Sequence, residues 1–267
     1  MKFFCKTILK YYLKYVTKIV LAIHRPTVVA ISGSSNKTFI RDEVRKILEK
    51  KGKTVRANPK NFNTEIGLPL AILNVESGYN SYRAWLPIIG KAFWAIFQKN
   101  FPEFLVLELG VSQKGDMRYL LSIIRPKISI ICEINQRYIE SFSGMDNLFL
   151  EYQYLAQQTL QSGALILNYD NARVRSLSKK THARVEYFGK TEKTEIFQIK
   201  KIERQKDGQK FWLKYNNKTQ EFFTPRFGEH NIYAMTAGKV FEYILDSLLN
   251  NSAFAQNHPN DSGMISS

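Results

Sequence analysis

A strand-like run, followed at once by a tight loop and an amphipathic segment, constrains the fold of this chain more than any other feature. The apolar, β-branched run Thr27–Ser32 leads into Gly33-Ser34-Ser35-Asn36 and then into Lys37-Thr38, ahead of the amphipathic segment Ile40–Lys51. Strand, loop and helix in this order direct backbone N–H groups and a helix N-terminus at a phosphate. In such a loop Lys37 reaches the β- and γ-phosphates and the Thr38 hydroxyl binds Mg²⁺.

The loop departs from the full phosphate-binding pattern G-x-x-x-x-G-K-[ST] at two positions. Ile31 and Asn36 stand where the pattern has glycine, so only the short form G-x-x-x-K-T remains. The glycine before the lysine supplies an unusual backbone conformation, and asparagine is the non-glycine residue that best tolerates left-handed geometry. Two interpretations stay open from this motif alone: a bent phosphate loop and an ordinary strand–helix turn.

Short apolar runs alternate with amphipathic segments after residue 26. The predicted strands are Thr27–Ser32, Thr54–Ala57, Phe104–Leu109, Ile128–Cys132, Ala164–Asn168 and Arg184–Phe188. The predicted helices are Ile40–Lys51, Tyr82–Lys99, Met117–Ile124, Leu148–Gln161 and Ala172–Lys179. This alternation predicts an α/β fold of the P-loop type, with a mostly parallel sheet and helices on both faces.

The pattern changes near residue 190. Three alternating runs separated by the turn pairs Asp-Gly and Asn-Asn predict a small antiparallel β meander at about 190–225. A C-terminal helix is expected from about His230 to Leu249. The polar remainder, 250–267, is expected to be disordered.

Composition narrows the compartment and the partners. The chain has 267 residues, of which 44% are hydrophobic, and only two cysteines, Cys5 and Cys132, so neither a disulfide framework nor a C-x-x-C metal site is indicated. A reducing cytoplasm is the simplest compartment. The net charge of +16 suits an anionic partner, although a generally lysine-rich proteome explains it equally well. We expect no nucleic-acid partner, because no recognition motif is present.

The N-terminal segment, 1–25, is predicted to be a basic amphipathic helix. Lysines recur every four residues at Lys2, Lys6, Lys10, Lys14 and Lys18, among aromatic and aliphatic residues. Five lysines at middle depth are too costly for a bilayer span, and the segment lacks the apolar core of a signal peptide. Two alternatives remain: a helix packed on the domain, or a helix lying on the anionic inner face of the membrane.

Two further stretches carry chemistry. Residues 61–70, N-F-N-T-E-I-G-L-P-L, form a polar loop that opens a helix with proline in its first turn. Glu108, in L-E-L-G, ends a buried strand and is followed by Gly115-Asp116-Met117. A carboxylate at the carboxyl end of a strand beside a phosphate loop is where an α/β sheet places a Mg²⁺ ligand, although a solvated strand end is the plainer alternative.

In their residues and in their order along the chain, these motifs resemble the central ATP-binding domain of the Mur ligase family, most closely its D-alanyl-D-alanine-adding branch. The signature N-x-N-T-E-I-G-x-P-L carries most of the resemblance. L-E-L-G-V with G-D-M, Leu167-Asn168-Tyr169-Asp170-Asn171 and Gly228-Glu229-His230-Asn231 add to it. The resemblance extends over about residues 25–245, and we expect a domain at 26–249.

The resemblance implies an ATP-dependent amide-forming reaction of peptidoglycan precursor synthesis, in which a carboxylate is phosphorylated and an amine then attacks. It implies that ATP and Mg²⁺ bind at Gly33, Ser34, Ser35, Asn36, Lys37 and Thr38, with Glu108 as a second metal ligand. It places Asn63 and Thr64 near the reacting phosphate, and His230 and Asn231 near adenine. Lys37 and Glu108 are the expected catalytic residues. A UDP-muramoyl peptide, or a protein carrying the family's other domains, is the expected partner.

Several positions depart from the family pattern. Glu133 stands for asparagine, Tyr138 for a metal-binding histidine, Tyr152 for a carbamylated lysine, and Ala234 for an asparagine near adenine. A phenol is a poor Mg²⁺ ligand at neutral pH. Two hypotheses therefore remain: a ligase domain whose activity is weak or depends on missing domains, and an inactive relative that binds a nucleotide or a partner.

Overall fold

Nine strands form one mixed sheet in the computed structural model, which describes residues 2–78, 82–136, 139–192 and 197–257. The strands are β1 (Thr27–Ser32), β2 (Val55–Ala57), β3 (Phe104–Glu108), β4 (Ile128–Ile131), β5 (Ala164–Asn168), β6 (Arg184–Gly189), β7 (Phe197–Gln205), β8 (Gly208–Tyr215) and β9 (Lys218–Thr224). Their order across the sheet is β2-β3-β1-β4-β5-β6-β7-β8-β9. Strands β1–β6 are parallel and β7–β9 form an antiparallel meander, which confirms the predicted fold class.

The described helices cover both faces of the parallel part. They are α1 (Lys2–His24), α2 (Lys37–Lys50), α3 (Gly67–Leu73), α4 (Tyr82–Trp94), α5 (Asp116–Leu121), α6 (Ile139–Phe142), α7 (Met145–Gln158), α8 (Ala172–Ser176) and α9 (Glu229–Asn257), with 3₁₀ turns at Ala95–Phe97 and Leu177–Lys180. Helices α2 and α9 share one apolar core with the sheet, whereas α5 and α7 share another on its opposite face. Nearly every predicted element is present, with ends that differ by a few residues.

The last helix is longer than expected. It continues from the predicted end at Leu249 to Asn257, because no proline or glycine interrupts residues 250–257. The rest of the tail predicted to be disordered, 258–267, lies outside the described residues.

The sheet order places the loop after β1 at a crevice. Strand β1 lies between β3 and β4. The two strands that follow β1 in the chain, β2 and β3, lie on one side of it, and β4, β5 and β6 lie on the other. Loops at the carboxyl ends of parallel strands meet at such a switch point, which is where open α/β sheets bind ligands. The loop 33–36, Glu108 after β3 and the segment after β4 therefore converge.

The N-terminal helix packs on the domain. Leu13, Val16 and Val20 are buried in a third apolar cluster with residues of α3 and α4. Lys10 Nζ lies 2.5 Å from a carboxylate oxygen of Glu65 in the 61–70 loop. Within the described ranges, no helix combines the length and the apolar character that a membrane crossing requires.

Candidate functional site

The loop between β1 and α2 adopts the bent backbone that asparagine was expected to permit. Asn36 lies in the left-handed region, with φ 62° and ψ −1°, and α2 begins at the next residue, Lys37. Gly33 has φ 137°, and a Cβ there would lie 3.0 Å from the backbone N and O of Glu133. Both special conformations are therefore met, one by glycine and one by asparagine. The Asn36 side chain makes no capping bond to α2.

The segment after β4 braces the loop. The Ser34 N–H donates to the Glu133 carbonyl at 2.7 Å, and the Asn135 N–H donates to Ser34 Oγ at 3.2 Å. The Ser35 hydroxyl donates to the Glu133 carboxylate. Lys37 folds back over the loop and donates from Nζ to the Gly33 carbonyl at 2.7 Å. In this conformation the Lys37 ammonium is hydrogen-bonded to a carbonyl of the loop itself, and the Ser35 hydroxyl is hydrogen-bonded to the Glu133 carboxylate.

Glu108 and Thr38 meet on the other side of the loop. Thr38 Oγ1 donates to Glu108 Oε2 at 2.9 Å, although 70 residues separate them in sequence. Asn63 Nδ2 donates to Glu108 Oε1 at 3.1 Å, and Arg41 Nη1 lies 3.6 Å from Glu108 Oε2. Glu108 is only 7% exposed. Two residues predicted from separate motifs, Thr38 and Asn63, thus bind the carboxylate of a third, Glu108. These contacts and the burial of Glu108 exclude the solvated strand end as an account of this residue.

Sequence reasoning missed Asn58, which holds Glu108 in place. Its side chain accepts from the Glu108 N–H at 2.8 Å and donates to the Glu108 carbonyl at 2.9 Å. The same amide donates to the Phe62 carbonyl at 3.0 Å, which ties the 61–70 loop to β3. The only signal was a polar residue directly after β2, at the carboxyl edge of the sheet.

The 61–70 loop contacts the exit of β3 through Asn63. The Gly110 N–H donates to the Asn63 carbonyl at 3.0 Å. A Cβ on Gly110 would lie 2.9 Å from the Asn63 side chain, so a larger residue there would displace the amide that donates to Glu108. Thr64 lines a neighbouring cavity of about 290 Å³ together with Lys6, Glu65, Ser112 and Asp116.

His230 and Asn231 lie in the first turn of α9, beside the first turn of α2. The His230 ring lies 4.7 Å from the Phe39 ring, measured between centroids. Asn231 Nδ2 donates to the Phe227 carbonyl at 2.7 Å and lies 3.0 Å from His230 Nε2. Ala234, one turn further on, is buried in the core between α9 and the sheet.

The departure at Tyr152 places an aromatic side chain in the core. Tyr152 is almost fully buried in the apolar core under α5 and α7. The neighbouring Glu151, which sequence reasoning did not single out, accepts from the N–H groups of Gly115 at 2.7 Å and Met117 at 2.8 Å and so caps α5. Tyr138 lies outside the described residues.

Cys132 is not a nucleophile candidate. Burial raises the pKa of its thiol to about 12, even though the nearby Lys37 ammonium works to lower it. The thiolate is the reactive form, so the thiol is inert at neutral pH.

A divalent cation fits the Thr38–Glu108 pair. The hydroxyl and the carboxylate oxygens are hard donors of the kind Mg²⁺ takes, and Mg²⁺ usually keeps several waters and phosphate oxygens besides one or two protein ligands. Among the described residues, no group of three or more His, Cys, Asp or Glu side chains forms an all-protein metal cage. The chemistry of the donors therefore favours a cation held jointly with a phosphorylated ligand.

The first strand of the parallel part of the sheet leads through a Lys-Thr loop into a helix, and the neighbouring strand β3 ends in a carboxylate beside that loop. These features define a P-loop-type α/β domain. The chain belongs to the Mur ligase family: the family model described as the Mur ligase middle domain matches residues 87–240. That range contains Glu108, His230 and Asn231, and it begins after the loops at 33–38 and 61–70.

Relatives and solved structures agree with this assignment. The UDP-N-acetylmuramoyl-tripeptide–D-alanyl-D-alanine ligase of Mycobacterium leprae is 28% identical over 159 residues, which are 60% of this chain and 26% of that protein. The same ligase of Haemophilus influenzae is 23% identical over 212 residues, or 78% of this chain and 40% of that protein. The structure of MurF from Thermotoga maritima in complex with ADP matches with a TM-score of 0.72 and 18% identity, covering 89% of this chain and 49% of that one. The chain thus spans between a quarter and a half of the length of these proteins.

Proposed function

We propose that this chain is the ATP-binding part of an ATP-dependent, amide-forming ligase that acts in peptidoglycan precursor synthesis. The observation that carries the proposal is the 2.9 Å contact between Thr38 Oγ1 and Glu108 Oε2, at the head of a Lys-Thr loop. A hydroxyl and a carboxylate at this separation match the ligand pair expected for the Mg²⁺ of a bound nucleotide. The unit that binds the nucleotide is residues 26–249, with 1–25 as an accessory helix.

The proposed roles follow the geometry. The backbone of Gly33, Ser34, Ser35 and Asn36, with the N-terminus of α2, cradles the phosphates, and Lys37 turns from the Gly33 carbonyl to the phosphate oxygens. Thr38 and Glu108 hold Mg²⁺, which neutralises charge on the transferring phosphoryl group.

The surrounding loops complete this proposed site. Asn63, which donates to Glu108, would orient that carboxylate, and Thr64, which lines the neighbouring cavity, would lie near the reacting phosphate. His230 and Asn231 would lie near the base of the nucleotide. Each of these assignments rests on neighbouring contacts and on family membership, and each can be tested by substituting the residue.

The substrates are proposed from the relatives' names. Those relatives act on a UDP-N-acetylmuramoyl tripeptide and D-alanyl-D-alanine, and this chain spans about a quarter of the Mycobacterium leprae protein. We expect the substrate carboxylate to accept the γ-phosphoryl group and the dipeptide amine then to displace phosphate. Residues outside this chain would recognise both substrates, so full activity would depend on a protein that carries them.

Calorimetry with Mg-ATP tests the nucleotide proposal. We expect saturable binding by the parent chain and a loss of at least about tenfold in affinity for Lys37→Ala, because a charged hydrogen-bond donor to phosphate is removed. Lys179→Ala, at an exposed lysine in the turn after α8, is the matched control and should bind like the parent. Undetectable binding by the parent would contradict the proposal.

The second candidate function is an inactive relative that binds a nucleotide or a partner. It is favoured by the Glu133 carboxylate, which accepts from Ser35 inside the loop and would lie close to bound phosphates. Release of ADP that requires both the UDP-muramoyl tripeptide and D-alanyl-D-alanine would exclude it. ATP binding without such turnover, even when proteins carrying the remaining domains are added, would support it.

A further inference from the structure

The outer side of α1 exposes a continuous apolar stripe. Its members recur at steps of three or four residues and so share one side of the helix: Ile8, Tyr11, Tyr15, Ile19 and Ile23. The opposite side, with Leu13, Val16 and Val20, is the one that packs on the domain. The stripe is therefore not needed to attach α1.

Helix α4 and the 3₁₀ turn after it extend this surface. Their outward side chains include Leu86, Phe93, Trp94 and Phe97, of which Trp94 is 70% exposed and Leu86 71%. The rings of Phe93, Trp94 and Phe97 touch one another, with centroids 5.7–6.4 Å apart. The inner side of α4, at Ile88 and Ala92, packs in the same cluster as α1.

A hydrogen bond joins the two parts. Tyr12 Oη, on α1, donates to the Ile89 carbonyl of α4 at 2.8 Å. Of the sixteen large apolar side chains that are exposed within the described ranges, ten lie on α1, α4 or the 3₁₀ turn. Scattered exposed apolar residues are ordinary, whereas a contiguous patch marks a surface that meets another apolar phase. We call these ten residues and their flanking lysines the α1–α4 face.

The charge on the α1–α4 face has one sign. Neither residues 2–25 nor residues 82–100 contain an aspartate or a glutamate. Lys14 and Lys18 follow Tyr11 and Tyr15 by three residues and so flank the stripe, and Lys91 is exposed on α4. Lys14 lies on the domain side of these lysines, with its Nζ 5.1 Å from the centroid of the Tyr119 ring, and burial, followed by the proximity of Lys18 and Lys10, lowers its pKa.

The residue composition of the α1–α4 face favours a membrane over a protein as its partner. Lysine is depleted in protein–protein interfaces, whereas helices that lie on membranes combine lysine on one side with Trp, Phe and Leu on the other. Tyrosine and tryptophan favour the headgroup region of a bilayer. A surface of lipid headgroups with net negative charge complements both the aromatic side chains and the lysines.

We propose that the α1–α4 face docks this domain onto an anionic lipid bilayer, as a peripheral contact that spans nothing. The apolar side chains enter the headgroup region, while the exposed Lys18 and Lys91 meet anionic headgroups. This contact does not depend on nucleotide binding, so either proposal can fail without the other.

Vesicle sedimentation of the full chain tests the proposal. We expect binding to phosphatidylcholine vesicles that contain phosphatidylserine, weak binding to phosphatidylcholine alone, and release as NaCl is raised. Lys18→Gln with Lys91→Gln should lower the partition coefficient on anionic vesicles about fivefold per charge. The pair Lys179→Gln and Lys180→Gln, also exposed and of equal charge change, is the control and should have a smaller effect.

The apolar contribution has its own variant pair. Trp94→Ser with Phe97→Ser should reduce vesicle binding at least tenfold, and the emission of the parent chain should shift to the blue on binding through Trp94. Leu150→Ser with Phe223→Ser, at exposed positions on α7 and β9, is the matched control.

Two results would overturn the proposal. One is equal binding to neutral and anionic vesicles, or binding to neither. The other is self-association in sedimentation velocity that Trp94→Ser with Phe97→Ser abolishes, in the absence of vesicle binding, since a second copy would then cover the face.

Discussion

The loop at 33–38 has one carboxylate on each side, Glu108 and Glu133, and the two make different contacts. On the β3 side, the Glu108 carboxylate is held by Thr38 and Asn63 and its backbone by Asn58, so it is fixed where a cation can be shared with phosphate. On the β4 side, the Glu133 carboxylate binds the loop itself through Ser35. A fixed carboxylate attracts a cation, whereas an additional carboxylate at a phosphate cradle repels the phosphate. The β3 side therefore fits the proposed nucleotide–metal complex better than the β4 side does.

The largest effect is expected from Asn58→Ala, which removes the support of the β3 side. The buried amide makes three hydrogen bonds, two of them to the Glu108 backbone. At roughly 1 kcal/mol for each bond, we expect the free energy of unfolding to fall by about 3 kcal/mol, measured by urea denaturation. Asn100→Ala, at an exposed position, should change it by less than about 0.5 kcal/mol. Equal midpoints for the two variants would show that Asn58 does not support this side.

Glu108→Gln tests the proposed role of Glu108 in metal binding without changing the size of its side chain. The amide keeps the size of the side chain and can still accept from Thr38, but it is a weak ligand for Mg²⁺. We expect chelation of Mg²⁺ to weaken ATP binding by the parent by about tenfold or more. The variant should already be weak with Mg²⁺ and should not respond to the chelator.

The control for this experiment is Glu76→Gln, at an exposed position. It should keep the full response to Mg²⁺. A variant at Glu108 that retains that response would place the cation elsewhere.

Glu133→Gln tests the β4 side, and its expected effect has the opposite sign. Removal of one negative charge beside the phosphates should raise the affinity for Mg-ATP by about fivefold, which corresponds to ~1 kcal/mol of reduced repulsion. Glu140→Gln makes the same charge change at an exposed position and should leave calorimetric binding unchanged. A weaker complex for Glu133→Gln would mean that this carboxylate takes part in nucleotide or metal binding.

The smallest effect concerns Asp170, which ties the end of β5 to α9. Burial works to raise the pKa of Asp170, but hydrogen bonds from Thr191, Tyr233 and the Lys190 N–H outweigh it, so the pKa lies below its usual value of 3.8. A carboxyl group whose pKa is lowered by folding stabilises the protein above the unfolded pKa. That contribution is lost as the pH falls through the folded value.

Asp170→Asn should therefore flatten the loss of stability below about pH 4, as measured by denaturation at several pH values. Asp207→Asn, in the exposed turn between β7 and β8, is the control and should keep the parent's acid profile. Parallel profiles for Asp170→Asn and the parent would show that the bonds around Asp170 do not depend on its charge.

Local patterns predicted most of the fold. Runs such as Thr27–Ser32 and Ala164–Asn168 were predicted with the bounds that the structure has, because a strand buried on both faces reads as an uninterrupted apolar run. The left-handed residue before Lys37 was also predictable, since asparagine tolerates that conformation. The position of Glu108 beside the loop followed from the expectation that parallel strands end at one edge, whereas its hydrogen bond with Thr38 was not predicted.

Other features depend on which elements become neighbours. Asn58 carries no motif, and its role appears only because β2 pairs with β3 and so places it against Glu108. The sequence marked Glu133 as a departure from the family pattern, but only the position of β4 beside β1 brings its carboxylate to Ser35.

The alternating elements, the Lys-Thr loop and the family could all be predicted from the chain alone, because periodicity and short motifs are local properties. The packing of α1 on the domain, and the basic, apolar face that α1 and α4 together leave exposed, are visible only in the folded molecule. An amphipathic pattern shows that a helix has an apolar side, but it does not show which side another element covers. That depends on contacts such as the bond between Tyr12 and Ile89, which join residues far apart in the chain.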